Sequence, residues 1–147
     1  MWTVKAIADT ETYPVRHPVL RKGRPLESCA FSGDDLPTTL HLGGFYEQRL
    51  SAVATFLKQD NSEMNWTNAY QLRGMAVLSD YQGKGLGMRI LKSGEEALIE
   101  RKAEILWMNA RLVAVPFYEK LGYQKKGTAF DIPGIGPHFI MFKRLAQ

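Results

Sequence analysis

The chain has 147 residues, 45% hydrophobic and 23% charged, a composition that fits one folded domain over 1–147 and excludes a disordered or fibrous chain. Its formal charge of +4 comes from basic residues spread along the sequence, without the clustered stripe that would make nucleic acid an expected partner. Cys29 is the single cysteine, no apolar run approaches the ~20 residues of a membrane helix, and the first residues lack a leader pattern. These features point to a cytoplasmic chain with no disulfide, no cysteine-based metal site and no membrane partner.

Thr3 to Ala8 alternates apolar and polar side chains and predicts a strand. Thr10 to Leu20 reads as a short helical or irregular segment interrupted by Pro14 and Pro18. Glu27 to Phe31 predicts a second strand, closed by the turn residues Ser32-Gly33-Asp34-Asp35. Thr38 to Phe45 and Arg49 to Lys58 form a predicted hairpin about Tyr46-Glu47-Gln48. A polar loop over Gln59 to Asn68 leads into a strand over Tyr70 to Leu78. Beyond it Leu86, Ile90, Gly94, Ala97 and Leu98 recur at helical spacing, giving one buried stripe through about Arg101. Glu104 to Asn109 predicts another strand. Leu112 to Leu121 predicts a shorter helix that tolerates Pro116 only in its first turn and stops at Gly122. Tyr123 to Asp131 and His138 to Arg144 complete a mixed α/β order, a mostly antiparallel sheet interrupted by helices.

The densest chemical signal is Met75-Ala76-Val77 followed by Gln82-Gly83-Lys84-Gly85-Leu86-Gly87-Met88. It is a strand, a tight turn and a helix start. The glycines allow close backbone approach to a ligand, and the free N–H groups of the helix start favour an anion such as a pyrophosphate. Lys84 and Arg89 add positive charge. A P-loop is excluded because Gly83-Lys84 is followed by Gly85 and no hydroxyl is placed for magnesium. A dinucleotide fold is disfavoured by the Gly-x-Gly-x-Gly spacing and its late position.

The second block is Ala114-x-x-Phe117-Tyr118-Glu119-Lys120-Leu121-Gly122-Tyr123, one helix and one strand further on. In this order the two blocks resemble the GNAT superfamily of acyl-CoA N-acyltransferases over about Tyr70 to Arg144. The resemblance implies a six- or seven-stranded sheet splayed between the strands near 70–78 and 104–109. It implies acetyl-CoA as cosubstrate, an amine acceptor (small molecule or peptide), and a homodimer as an open alternative to a monomer. On it, Met75, Ala76 and Val77 would offer backbone groups to the pantetheine arm, and Gln82 through Met88 would hold the pyrophosphate. Asn109 would border the slot for the thioester. Tyr118 stands where a phenol commonly donates a proton to the departing thiolate.

Two positions depart from the family pattern. Arg111 stands where many members carry a cofactor-contacting asparagine, and Gln71 stands where a carboxylate base is sometimes found. They motivate a second reading, a catalytically weak acyl-CoA-binding or regulatory module using the same slot. The C-terminal stretch resembles a subgroup ending in a Pro-His-x-x-Met strand. Its His138 is either a base or substrate ligand facing the site, or a strand histidine bonded to backbone. Arg73 is either an anchor for a substrate carboxylate or a solvated surface residue. His41 points away from Leu40 and Leu42 and reads as structural. Trp2, Trp66 and Trp107 read as packing residues, and Met64, Met75 and Met88 do not form a metal set.

Overall fold

Alternation and turn chemistry build the first half of the sheet. In the computed structural model, which describes residues 1–145, strands β1 (Trp2–Ala6), β2 (Leu40–Tyr46), β3 (Arg49–Lys58) and β4 (Ala69–Val77) pair as antiparallel neighbours. The β2–β3 hairpin closes on Glu47 and Gln48, both with positive φ (48° and 70°), the twist a two-residue hairpin turn requires. β5 (Ile105–Arg111) lies parallel to β4, and β6 (Gln124–Ile132) and β7 (Gly136–Arg144) follow, giving a seven-stranded sheet in the order β1-β2-β3-β4-β5-β7-β6.

Helix α2 (Leu86–Glu100) covers one face, where Leu86, Ile90, Leu91 and Leu98 bury against Phe56, Leu72, Leu106 and Met108. Burial of such side chains is worth roughly 1.5–3 kcal/mol each. Leu91 joins this stripe, whereas Ala97 is only half-buried. Helix α1 (Tyr13–Leu20) covers part of the other face, packing Val15 on Val53 and Ala76. The rest of that face is closed by Trp66 and Trp107 with Ile105, Ala69 and Phe142. The two faces follow from strand alternation: Ala52, Ala54 and Phe56 point to α2, while Val53 and Thr55 point to α1.

The prolines do not break α1. Pro14 sits in the first turn, where its missing N–H has no helical acceptor to lose, and the buried Val15 and Arg16 hold the helix through Pro18. The expected strand over Glu27 to Phe31 is instead a 3-10 turn, Leu26–Cys29. Its amides bond locally, Ser28 N–H to Pro25 O at 3.0 Å and Ala30 N–H to Glu27 O at 3.2 Å, and Arg16 claims the Cys29 carbonyl at 2.7 Å. Cys29 is buried and Phe31 lies under the Arg16 guanidinium, so the apolar residues of this segment meet α1 and not a ladder. Pro116 does lie in the first turn of α3 (Val115–Lys120), which begins after a 3-10 turn over Leu112–Ala114.

One glycine fixes how closely α2 approaches the sheet. A Cβ on Gly94 would stand 2.1 Å from Cζ of Phe56, a ring with no exposed surface and no room to move. Helix propensity favours Ala over Gly by ~1 kcal/mol, but overpacking costs typically 1–3 kcal/mol or more. The clash is severe enough to win. Gly94→Ala is expected to cost about 2 kcal/mol net, read as a fall in Tm of roughly 4–8 °C in thermal unfolding.

Candidate active site

β4 and β5 pair over only three positions, Ala69↔Ile105, Tyr70↔Leu106 and Gln71↔Trp107. Past Gln71 the two strands diverge, each held by its other neighbour. β4 stays on β3 to Val77, while β5 stays on β7 from Ile105↔Arg144 to Arg111↔His138. The gap opens toward the ends of both strands.

A bulge re-aims β4 at the mouth of this gap. Val53 pairs with Ala76 but Thr55 pairs with Arg73, so β4 holds one extra residue there, and Gly74 takes φ +59° to accommodate it. Ala69, Gln71 and Arg73 face the α1 side before the bulge, and Ala76 faces it afterward; Met75 and Val77 therefore turn toward the α2 side. A Cβ on Gly74 would meet Phe31 at 2.9 Å and Arg16 at 3.3 Å, so the bulge is nested under α1 as well. The sequence predicts an unbroken strand over Tyr70 to Leu78, and the isolated Gly74 inside it is the one local sign of the bulge.

Two clefts meet at the gap. The first, about 590 Å³, is lined by Met75, Ala76, Val77, Gln82, Gly83, Gly85, Leu86, Gly87 and Met88, together with Val19, Tyr81, Ala114, Phe117 and Tyr118. Gly85 has φ +78°, a left-handed link that swings the chain into α2, and nothing lies within 4 Å of where its Cβ would be. The first helical bond is Arg89 N–H to Gly85 O at 3.2 Å. The amides of residues 83–88 have no acceptor among the described residues, so a row of N–H donors and the positive end of α2 face this cleft. The Gln82 side chain donates to Val77 O at 3.0 Å and ties the turn to the end of β4. Lys84 and Arg89 are exposed and lie outside the lining.

The second cleft, of similar volume, lies on the α1 side. Gln71 and Arg73 of β4, Asn109 and Arg111 of β5 and His138 of β7 share this face through the strand register, with Arg21 and Phe31 above them. Asn109 thus lines this second cleft and not the first. Arg73 is held by Gln71 Oε1 and the Ser32 carbonyl, both at 3.1 Å. His138, 4% exposed, places Nδ1 2.8 Å from Gly136 O. A carbonyl can only accept, so the neutral ring carries its proton on Nδ1 and keeps the Nε2 lone pair free of any partner among the described residues. His41, by contrast, is saturated by Thr55 Oγ1 at 2.8 Å and Asp34 O at 2.9 Å, as a structural histidine.

Tyr118 of α3 borders both clefts, as do Met75 and Ala114. Its ring packs between Phe117 and Tyr123, and its hydroxyl makes no hydrogen bond among the described residues. Burial pushes the phenol up to about 12. The end of α3 is pinned by Tyr123, which donates to Glu95 at 2.6 Å, and by Lys143, which bonds Glu95 at 3.1 Å and the Leu121 carbonyl at 3.0 Å. Burial and then the Glu95 carboxylate raise the Tyr123 phenol as well.

A splayed β4–β5 pair, a β4 bulge and an amide-rich turn at the start of α2 define a class of acyl-CoA-handling domain. The model of the Acetyltransferase (GNAT) family matches residues 6–123, and the chain belongs to that family. It is 39% identical over 99% of its length to the uncharacterised N-acetyltransferase YitI of Bacillus subtilis (strain 168), covering 97% of that protein. The ribosomal-protein-S18-alanine N-acetyltransferase of Escherichia coli superposes with a TM-score of 0.79 at 20% identity, over all of this chain and 96% of the other. An aminoglycoside 6'-N-acetyltransferase solved with coenzyme A gives 0.79 at 12% identity, covering 99% and 98% of the two chains. The protein is an acyl-CoA-dependent N-acetyltransferase with a mixed α/β fold. Among the described residues no helix is long and apolar enough to cross a membrane.

The two raised phenols make stability depend on alkaline pH. The folded chain keeps protons that the unfolded chain releases above about pH 10, so stability is intact below pH 10 and falls above it. Each phenol contributes a slope of ~1.4 kcal/mol per pH unit, ending for Tyr118 near its folded value. Urea unfolding between pH 9 and 11.5 is expected to show this fall, with a shallower slope in Tyr118→Phe.

Proposed function

We propose that the first cleft takes acetyl-CoA and the second takes a primary amine, the two meeting beside Tyr118, with the whole chain working as one cytoplasmic acyltransferase domain. The observation that carries this reading is the row of unpartnered amides at residues 83–88 beside the unpaired edge of β4. The amides suit a pyrophosphate, and the β4 edge from Met75 to Val77 suits an amide-bearing arm laid down like an added strand. Gln82, tied to Val77 O, holds the turn in register with that edge.

His138 is the base this cleft offers. Its Nε2 lone pair accepts the proton as the amine nitrogen bonds to the thioester carbon, and the C–S bond then breaks to leave an amide and the coenzyme A thiolate. The Gly136 carbonyl holds the tautomer that makes this transfer competent. Tyr118 donates a hydrogen bond to the departing sulfur. With its phenol at about 12 against about 8.5 for a free thiol, full transfer is uphill by roughly 5 kcal/mol, so the thiolate takes its proton from His138 or solvent. Gln71, neutral where some family members carry a carboxylate, favours a catalytically weak binding module as the second reading.

Three variants separate these readings. Gly85→Asp keeps a residue type that tolerates positive φ but sets a carboxylate against the proposed pyrophosphate. Calorimetric titration is expected to show no acetyl-CoA binding, with Tm within a few degrees of wild type. Equal affinity would displace the cofactor from the turn.

Tyr118→Phe removes one hydroxyl and is expected to lower kcat at least tenfold, followed by thiol release, with acetyl-CoA affinity unchanged. His138→Gln should lower kcat by roughly 10²–10⁴-fold, the usual worth of general base catalysis. Because the Tyr118 phenol stays protonated to about 12, the wild-type rate is expected to show no Tyr118-dependent alkaline limb below pH 11. A chain that binds acetyl-CoA yet acylates no amine would be the binding module.

A further inference from the structure

The second cleft has a one-sided charge. Arg21, Arg73 and Arg111 line it with His138, and among the described residues no Asp, Glu or Lys does. None of the three guanidinium groups has a carboxylate within ion-pair distance among the described residues. Arg21 spends its bonds on neutral carbonyls, Ser28 O at 3.2 Å and Leu20 O at 3.1 Å, and lies over the Phe31 ring at 4.8 Å. Among the described residues the Arg73 side chain is bonded only to Gln71 and Ser32 O, and the Arg111 side chain makes no hydrogen bond. Asp34, beneath the same wall, is fully engaged by Arg16 at 2.6 and 3.1 Å and by the Phe31 amide at 2.9 Å. Asp131 alternates with Phe130 and Ile132 on β6 and does not line the cleft.

Resting on the acceptor reading above, we infer that the amine acylated here carries its own anion, a carboxylate or phosphate, and that Arg73 and Arg111 hold it. Three uncompensated guanidinium groups repel a polyamine or an aminoglycoside, whereas a forked guanidinium pairs bidentately with a carboxylate or phosphate. Arg73 is already held in place by two neutral acceptors, so little side-chain freedom is lost when an anion binds. The neutral Gln71 fits the same logic, since a carboxylate at that position would pair with Arg73 and cancel its charge. An anion on Arg73 and Arg111 leaves the amine of the same small molecule near the shared rim at Tyr118, on the face that carries His138. Arg111 stands where the family pattern has a cofactor-contacting asparagine, and the strand register turns it to the acceptor cleft instead.

The test uses matched pairs in which only the anion differs: amino acids against their amides, and phosphoethanolamine against ethanolamine, with spermidine as the polycation. Thiol release from acetyl-CoA is followed for each. The charged member of at least one pair is expected to be favoured tenfold or more in kcat/KM, the carboxylate and phosphate pairs showing which anion the cleft prefers. Arg73→Gln and Arg111→Gln should raise KM for that acceptor tenfold or more, with kcat changed less than threefold and acetyl-CoA affinity kept. Calorimetric binding of N-acetyl amino acids and their amides to the protein–coenzyme A complex gives a readout that needs no turnover, with the charged product expected to bind tenfold tighter. Turnover of spermidine or ethanolamine at rates matching the charged amines would overturn the inference and leave the acyltransferase reading intact. Loss of acetyl-CoA binding in either arginine variant would overturn it too, by assigning that side chain to the cofactor. Failure of every amine, with the charged product still preferred, would instead sink the catalytic reading while supporting an anion site, and equal binding of charged and neutral products would remove the anion site.

Discussion

Parallel pairing between β4 and β5 holds for three positions and then stops, and both clefts exist because it stops there. Each strand is committed elsewhere: β4 to β3 up to Val77, and β5 to β7 along its whole length. Backbone groups inside a sheet are costly to leave unpaired, so a gap of this kind persists only where the missing partner is water or ligand. The bulge at Gly74 exploits the gap. By adding one residue to β4 it turns Met75 and Val77 toward the amide-lined cleft and leaves Arg73 on the opposite face, so one strand serves both clefts.

The wall above the second cleft depends on a buried polar cluster. Arg16 reaches Asp34, Thr55 Oγ1 and the Cys29 carbonyl, and Thr55 in turn bonds His41, whose other nitrogen reaches Asp34 O. The donors and acceptors are consistent throughout: Thr55 accepts from Arg16 and gives its proton to His41 Nδ1, and His41 donates from Nε2. Within the cluster only Arg16 Nε lacks a hydrogen-bond partner among the described residues. Such a pair gains little net stability over an apolar core, but removing one member strands a charge. Its structural consequence is positional. It clamps α1 and residues 29–34 onto β2 and β3, which brings Arg21, Phe31 and Ser32 over the cleft.

A second clamp sets the other side of the gap. Glu95 of α2 takes the Tyr123 hydroxyl and the Lys143 ammonium, which also caps the Leu121 carbonyl at the end of α3. Helix α3 is only six residues long and has little stability of its own, so its orientation derives from these contacts and from Val115 and Tyr118 in the core. Tyr118 is therefore held from outside the site, with its hydroxyl unbonded among the described residues at the junction of the two clefts. The two clefts differ accordingly, with unpartnered backbone N–H groups on one side and, among the described residues, guanidinium groups without carboxylate partners on the other.

What the sequence determined by itself was local. The period of α2, the hairpin about Glu47 and Gln48 and the glycine turn into a helix depend on residues close in the chain, and each was legible from spacing and turn chemistry. So was the family, from the two motif blocks. The segment Glu27 to Phe31 misled because a short apolar run before a turn reports burial without its partner, and only the position of Arg16 shows that the burial is under a helix. The bulge at Gly74 was hidden because its extra residue is defined against β3, twenty residues away in sequence. Arg21, Arg73, Arg111 and His138 lie on three strands and the end of α1, and no spacing along the chain relates them. Tertiary structure alone decided that they share one cleft and that, among the described residues, no carboxylate joins them, because strand register and the splay set which faces meet.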